Sequence, residues 1–194
     1  MSFYQKITPP ESVRKSILNF ILEDTESISL VTANENISKT SWKYDTVTDS
    51  QIKLGEIFKE DLAKIFRDHF GKSYTLTGIW YQVYAKHTGS FHGFHHHLNE
   101  ESTTSAIFYV KLHSKELLTQ FQCDGNVVTP DAQEGDIIIF DSGILHASPP
   151  NNTDDDKIIV SFNFMLKNDH SKLATPQSER TKTKTQTASN EGEA

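Results

Sequence analysis

Hydrophobic residues in the first third of the chain recur every three or four positions, the spacing of an amphipathic helix. Thr8-Pro9-Pro10-Glu11 is typical of a helix start, with Thr8 as the cap, Pro9 in the first helical position and Glu11 completing a capping box. A second helix is predicted over about residues 50–70, ending at Gly71. Residues 25–44, between the helices, are rich in turn-forming residues and show no clear period. The predicted apolar stripes are Val13, Ile17, Phe20 and Ile21 in the first helix, and Leu54, Phe58, Leu62, Ile65 and Phe66 in the second.

From Ser73 onward the pattern changes to short β-branched or aromatic runs separated by turn residues, which indicates strands. The runs are TLTGIWYQVYAKH, SAIFYVKL, NVVTP, DIIIF and KIIVSFNFML. Helices followed by many strands predict a mainly β protein with supporting helices, in which the helices pack on one side of a β-sandwich or barrel.

The chain is most simply one domain over residues 1–166, with helical N-terminal support in 1–72 and the β core in 73–166. Residues 167–194 are polar, and no large apolar residue follows Pro176. Such a segment buries too little apolar surface to offset the entropy of ordering, so we expect a disordered tail.

Composition narrows the functional classes. The net charge of −7 argues against a general nucleic-acid binder, and no apolar run approaches the length of a membrane span. Cys123 is the single cysteine, so no intrachain disulfide can form, and the N-terminus lacks the apolar core of a signal peptide. These features predict a cytoplasmic protein.

Histidines carry the strongest chemical signal, because five of the nine lie between His87 and His97. His95 and His97 share one face of an extended segment, and His96 should point away from them. His146 lies at a predicted strand–turn junction far downstream, and His92 is either a neighbour of the site or a surface residue. Two imidazoles on one face, joined by a third through the fold, predict a transition-metal site rather than a solvated histidine patch.

The last predicted strand has two chemically different faces. One is wholly apolar and should pack on the helices or on a second sheet. The other, which includes Lys157, Ser161 and Asn163, either lines a cavity that holds a carboxylate or meets solvent. Lys157 also follows three consecutive aspartates, Asp154 to Asp156, so a surface ion pair is an alternative. Tyr109, on a neighbouring strand, is either a ligand-binding hydroxyl in the same cavity or a core aromatic.

GDIIIFDSGILHASPPN followed by KIIVSFNFM resembles the C-terminal half of the Fe(II)/2-oxoglutarate-dependent oxygenases. GSFHGFHHHLNEESTTSAIFYVKL resembles the entry segment of a prolyl-4-hydroxylase-like branch of that superfamily with an HxH motif. The resemblance, which covers roughly residues 80–166, implies a double-stranded β-helix (a jelly roll) with a metal at one mouth. It further implies that His95, His97 and His146 bind Fe(II), and that Lys157 and Tyr109 bind the distal carboxylate of the co-substrate 2-oxoglutarate.

Two positions depart from the family pattern. The usual second metal ligand is a carboxylate, whereas this chain has His97; either the site uses three histidines, or Glu100 or Glu101 supplies the carboxylate. The basic residue is Lys157 rather than the commoner arginine, and Ile159 stands where an RxS motif has its serine. Lysine can serve as a point charge but lacks the bidentate geometry of arginine.

Cupins, which share the barrel, are a rival resemblance. Gly89, His95, His97 and Glu101 fit the spacing of the first cupin motif. The second motif is only partly met: Gly135, Gly143 and His146 match, but Asp141 replaces its proline and Pro150 its asparagine. Lys157 and the strand SFNFM have no role in the cupin motifs, which favours the oxygenase.

The resemblance therefore implies an enzyme, a dioxygenase of hydroxylase type that couples oxidative decarboxylation of 2-oxoglutarate to substrate oxidation. His95, His97 and His146 would form its catalytic metal site, with Lys157, Tyr109 and Ser161 lining the co-substrate pocket. The alternatives are a cupin metalloenzyme that does not use 2-oxoglutarate and a non-catalytic β-helix that binds a small acid or a protein. The sequence does not identify the substrate, which is a small molecule or a peptidyl side chain. It leaves a homodimer open, and no membrane partner is expected.

Overall fold

The structure, a computed structural model, describes residues 3–43, 46–71, 73–97 and 103–166. Within these ranges the backbone forms eleven strands, two α-helices and a short 3-10 helix at Lys115–Leu117. The helices are α1 (Glu11–Glu23) and α2 (Asp49–Phe70). The strands are β1 (Tyr4–Ile7), β2 (Ile28–Val31), β3 (Glu35–Thr40), β4 (Tyr74–Tyr84), β5 (Ser90–His95), β6 (Thr104–Lys111), β7 (Gln120–Cys123), β8 (Asn126–Val128), β9 (Ile137–Asp141), β10 (His146–Asn151) and β11 (Lys157–Leu166).

All the described strand pairs are antiparallel and follow the order β1-β9-β6-β11-β4-β3-β5-β10-β7-β8, with β2 added beside β3. The sheet curls so that its first half, β1 to β4 in this order, faces its second half, β3 to β8. Ile37 and Phe121 of the second half join Ile107 and Ile138 of the first half in one buried cluster. The prediction of a mainly β jelly roll with supporting helices is confirmed.

Both helices cover the outer face of the first half of the sheet. Ile17 of α1 and Phe58 and Phe66 of α2 are fully buried against Val160 and Phe162 of β11. Fully burying an aliphatic or aromatic side chain contributes roughly 1.5–3 kcal/mol, so this layer is a main source of stability. The apolar face of the last strand was predicted to pack on the helices or on a second sheet, and the structure shows that it packs on the helices.

The helix ends follow the sequence signals at α2 but not at α1. Thr48 caps α2 and forms a capping box with Gln51, and Gly71 ends the helix in the left-handed conformation, as predicted. The capping box predicted for α1 is wrong. The N-cap is Pro10, so Pro9 precedes the helix, and the Thr8 hydroxyl instead donates to Asp136 at 2.6 Å. A long-range bond to a carboxylate has replaced the local bond that a cap accepts from a backbone N–H.

Residues 25–44, for which the sequence showed no period, contain the β2–β3 hairpin, and β1 was also missed. The N-terminal third thus adds three strands to the sheet besides its helices. Pro149 and Pro150 lie inside β10. They sit where the register between β10 and β5 shifts, so their missing amide hydrogens do not interrupt a regular ladder.

No helix in the described ranges is long and apolar enough to cross a bilayer. The tail predicted to be disordered, residues 167–194, lies outside the described residues.

Candidate metal centre and cavity

Three histidines from two adjacent strands meet at one end of the β-helix. His95 is the last residue of β5 and pairs directly with His146, the first residue of β10. His97 lies two residues beyond β5, where its backbone N–H donates to Ser142 O at 2.9 Å. One ring nitrogen from each of the three lies within 4.8 Å of the others, a spacing that a single metal ion can bridge. The structure thus brings together the three predicted ligands.

Backbone carbonyls orient two of the three rings. The Nδ1 of His95 lies 2.8 Å from Gly93 O, and the Nδ1 of His146 lies 3.0 Å from Ile144 O. Because a carbonyl only accepts, each Nδ1 carries the proton and each Nε2 keeps its lone pair. Metal-binding histidines are typically oriented by such a bond from the ring nitrogen that does not bind the metal.

Burial keeps the cluster in the neutral form that binds metals. Removal from water lowers the pKa of His97 to about 3 and also lowers the pKa of His95 and of His146. The neighbouring histidines reinforce the effect at His97 and His146, because several imidazolium ions would repel one another. The described residues therefore suit a transition-metal ion, which requires unprotonated imidazole nitrogen.

A second polar group, formed by His92, Gln82 and Glu35, supports the first ligand; His92 is the neighbour of the site that was one of its two predicted roles, and the other two residues were not indicated by the sequence. The ring of His92 stacks on His95 with centroids 3.8 Å apart. The Gln82 amide nitrogen lies 3.3 Å from His92 Nδ1, and Glu35 Oε2 lies 3.3 Å from His92 Nε2. Since an amide NH₂ only donates, Nδ1 accepts and the ring proton is on Nε2, which faces Glu35. Burial lowers the pKa of His92 to about 3, so a neutral imidazole faces the carboxylate.

Lys157 lies inside the β-helix and is fully buried. Its ammonium donates to Ser148 Oγ at 2.8 Å and stands 5.1 Å from the centroid of the Tyr84 ring. Ser148 is two residues along β10 from His146 and so projects to the same side of that strand. The alternative of a surface ion pair between Lys157 and the three aspartates is wrong, because Lys157 is fully buried. The lysine that pairs with Asp155 is Lys111.

Tyr109 is also fully buried on the inner face, and the backbone N–H of Thr119 donates to its hydroxyl at 3.2 Å. It pairs with Ile159, two residues from Lys157 on β11, beside the register shift between Ile158 and Ile159. Ser161 lies farther along β11, where its hydroxyl donates to Gln82 at 3.3 Å. Ser161 therefore belongs to the group around His92 rather than to the surroundings of Lys157.

A cavity of about 340 Å³ opens beside the histidines. The β2–β3 hairpin, residues of β4 and β5 and the tryptophans Trp42 and Trp80 form its wall, and His95 and His97 lie at its inner end. His96 is exposed at the rim, outside the three-histidine cluster, as predicted. Glu100 and Glu101, the alternative ligands, lie outside the described residues.

Comparison with solved structures shows that the fold is shared with several structures named as prolyl hydroxylases or 2-oxoglutarate–Fe(II) oxygenases. A prolyl-4-hydroxylase from Pseudomonas putida aligns with a TM-score of 0.59 at 11% identity, covering 86% of this chain and 94% of that chain. A viral collagen prolyl hydroxylase from Paramecium bursaria Chlorella virus-1, solved with 2-oxoglutarate, aligns with a TM-score of 0.55 at 13% identity, covering 84% and 96%. A 2-oxoglutarate–Fe(II) oxygenase family member from Burkholderia pseudomallei gives 0.60 at 13%, covering 84% and 85%.

No protein-family profile and no curated protein sequence matches the chain. At 11–13% identity to these three structures, the likeness is one of backbone architecture. The side chains that this chain places at the mouth of the fold must therefore carry the functional argument.

Proposed function

We propose that this protein is an Fe(II)- and 2-oxoglutarate-dependent oxygenase, and specifically a hydroxylase, with a three-histidine metal site. The observation that carries the proposal is the convergence of ring nitrogens from His95, His97 and His146 within 4.8 Å at the mouth of a jelly roll of this class. Imidazole sites bind several transition metals, so the fold and the co-substrate pocket, rather than the histidines alone, favour iron.

The surroundings of Lys157 support 2-oxoglutarate as the co-substrate. In the part of the chain that the structure describes, no carboxylate pairs with this buried ammonium; Ser148 and the Tyr84 ring are its close polar and aromatic neighbours. A buried cation is costly without an anionic partner, and a ligand carboxylate would provide one. Tyr109 is likewise fully buried, and it pairs with Ile159, two residues from Lys157 on β11.

In the proposed enzyme the three imidazoles hold the metal, and Lys157, with Tyr109 near it, binds the distal carboxylate of the co-substrate. Bound Fe(II) and 2-oxoglutarate would together supply the electrons that activate O₂ for attack on a substrate C–H bond. The cavity beside the histidines would receive the substrate.

An anaerobic titration tests the proposal. Adding 2-oxoglutarate to the Fe(II)-loaded protein should give a saturable visible charge-transfer band, because a chelated 2-oxo acid accepts charge from Fe(II). His146→Ala should abolish the band together with iron binding, and Lys157→Met should weaken 2-oxoglutarate binding while iron binding persists. His96→Ala is the matched control, since His96 is an exposed neighbour outside the cluster, and it should leave the band unchanged.

The outcomes separate the functional classes. Iron binding without a band would contradict the oxygenase and favour a metalloenzyme of cupin type. A protein that retains no divalent metal after reconstitution would contradict both and favour a binding protein. Formation of succinate from 2-oxoglutarate, lost in His95→Ala, would complete the positive case.

A further inference from the structure

The cavity beside the three histidines has two chemically different ends. Successive contacts give the order of the residues along the cavity. The ring centroids of Trp80 and His97 are 5.3 Å apart, those of His97 and His95 are 4.8 Å apart, and those of His95 and His92 are 3.8 Å apart. Beyond them, His92 Nε2 lies 3.3 Å from Glu35 Oε2. The candidate metal ligands therefore lie between an indole ring and a carboxylate. A molecule that spans the cavity passes the metal centre with one end on each.

The aromatic end is formed by two tryptophans. Trp42 and Trp80 lie with ring centroids 4.9 Å apart, inclined by 53°. Trp80 is buried, and Trp42 is half-buried at the cavity wall. Two inclined indoles present a broad apolar surface to a flat or alkyl group, and their faces also attract cations.

The acidic end is formed by Glu35, the first residue of β3, whose side chain is 8% exposed. Its Oε1 lies 3.5 Å from the Thr32 hydroxyl, and its Oε2 lies 3.3 Å from His92 Nε2. A negative charge in a cavity of low dielectric favours a cationic ligand over a neutral one of the same shape.

We propose that this cavity binds an amphipathic cation, with an ammonium group on Glu35 and an apolar or planar group on Trp42 and Trp80. The carbon atoms between these two ends then face His95 and His97. The binding itself needs no metal; that the bound amine is the substrate to be oxidised rests on the proposed function. The cavity volume of about 340 Å³ lies at the low end for ligand sites and suits a small amine or a single cationic side chain.

The tryptophan content makes the test direct. Trp42 and Trp80 are the two tryptophans of the entire 194-residue sequence, so all tryptophan fluorescence reports on this cavity. We would titrate the full-length, metal-free protein at neutral pH with three probes of similar shape: 2-phenylethylamine, 2-phenylethanol and phenylacetate. The amine should change the emission saturably and bind about tenfold or more tightly than the alcohol, the range expected for a hydrogen bond to a charged group. Phenylacetate should bind most weakly.

Glu35→Gln tests the acidic end, because it removes the charge and keeps an oxygen that can accept from His92. It should remove the preference for the amine over the alcohol. Glu23→Gln, the same change at an exposed position, is the matched control and should leave all three affinities unchanged. The comparison of the three probes on the unaltered protein needs no variant, so a Glu35→Gln protein that fails to fold does not block the test.

The proposal is overturned if the amine gives no saturable change, if the alcohol or phenylacetate binds as tightly as the amine, or if folded Glu35→Gln retains the preference. Failure here is distinct from failure of the proposed function. A charge-transfer band without preference for the amine would support the oxygenase and contradict the cation site. Preference for the amine without a charge-transfer band would support the cation-binding cavity and contradict the oxygenase.

Discussion

Lys157 gives the sharpest prediction, because a fully buried ammonium should make the stability of the protein depend on pH. Burial lowers the pKa of Lys157 from 10.5 to about 7. That difference corresponds to about 5 kcal/mol of destabilisation while the folded protein holds the proton. Lys157→Met removes the ionisable group and keeps an unbranched side chain of comparable length.

The sign follows from proton binding. Below about pH 7 both the folded and the unfolded chain carry the proton, so the penalty is constant. Between about pH 7 and 10.5 the unfolded chain holds the proton and the folded chain has released it, so the free energy of unfolding rises with pH. From pH 7 to pH 9 the gain at this single group is about 2 kcal/mol.

Urea unfolding at pH 7, 8 and 9, without metal or 2-oxoglutarate, measures this gain. The stability difference between the wild type and Lys157→Met should change by about 2 kcal/mol over the range, in favour of the wild type at high pH. Lys64→Met is the matched control, because Lys64 is exposed on α2, and it should follow the wild type at every pH. Parallel pH profiles for the wild type and Lys157→Met would refute the reasoning.

Three further predictions concern the scaffold of the site. Thr48→Ala removes the cap of α2 and should lower the free energy of unfolding, measured in urea, by about 1 kcal/mol. Thr48→Ser keeps the capping hydroxyl and should lower that free energy much less. Phe66→Ala creates a cavity between α2 and the sheet and should lower the free energy of unfolding by about 3–5 kcal/mol in the same assay. Gly93→Ala would place a Cβ 2.0 Å from Asn34 Oδ1, so it should shift the β2–β3 hairpin and weaken 2-phenylethylamine binding; removing the obstruction with Asn34→Ala should restore part of the affinity. Affinity unchanged by Gly93→Ala would show that the hairpin does not shape the cavity.

The parts of the molecule that local patterns encode could be predicted. Alternation along the last strand placed Ile158 and Val160 on the helix side, and Lys157 and Ser161 on the inner side, because a strand fixes the direction of each side chain. The spacing His95-x-His97 likewise keeps both rings on one side. It does so even though β5 ends at His95, since the chain continues extended far enough for His97 to reach the same centre.

The parts that depend on distant partners could not be predicted. Glu35 lies in a segment without hydrophobic period, and its role arises only because β3 pairs with β5 and places it opposite His92. Thr8 exchanged its local capping role for a bond to Asp136, 128 residues away. In each case the deciding contact joins residues that are far apart in the chain, so the local sequence pattern around each residue does not predict it.

The location of the acidic group links the two proposals. In the proposed enzyme, three neutral imidazoles would leave a bound Fe(II) with its full charge of +2, which dianionic 2-oxoglutarate would neutralise, whereas a carboxylate in place of His97 would give a net negative centre. This chain has His97 where the family pattern has a carboxylate ligand. A carboxylate is found instead at Glu35, and the ring of His92 separates it from His95. Placed there, it can attract a substrate cation without occupying a metal position. Glu35→Gln should therefore weaken amine binding more than Fe(II) binding, and a larger loss of Fe(II) affinity would instead make Glu35 a metal ligand.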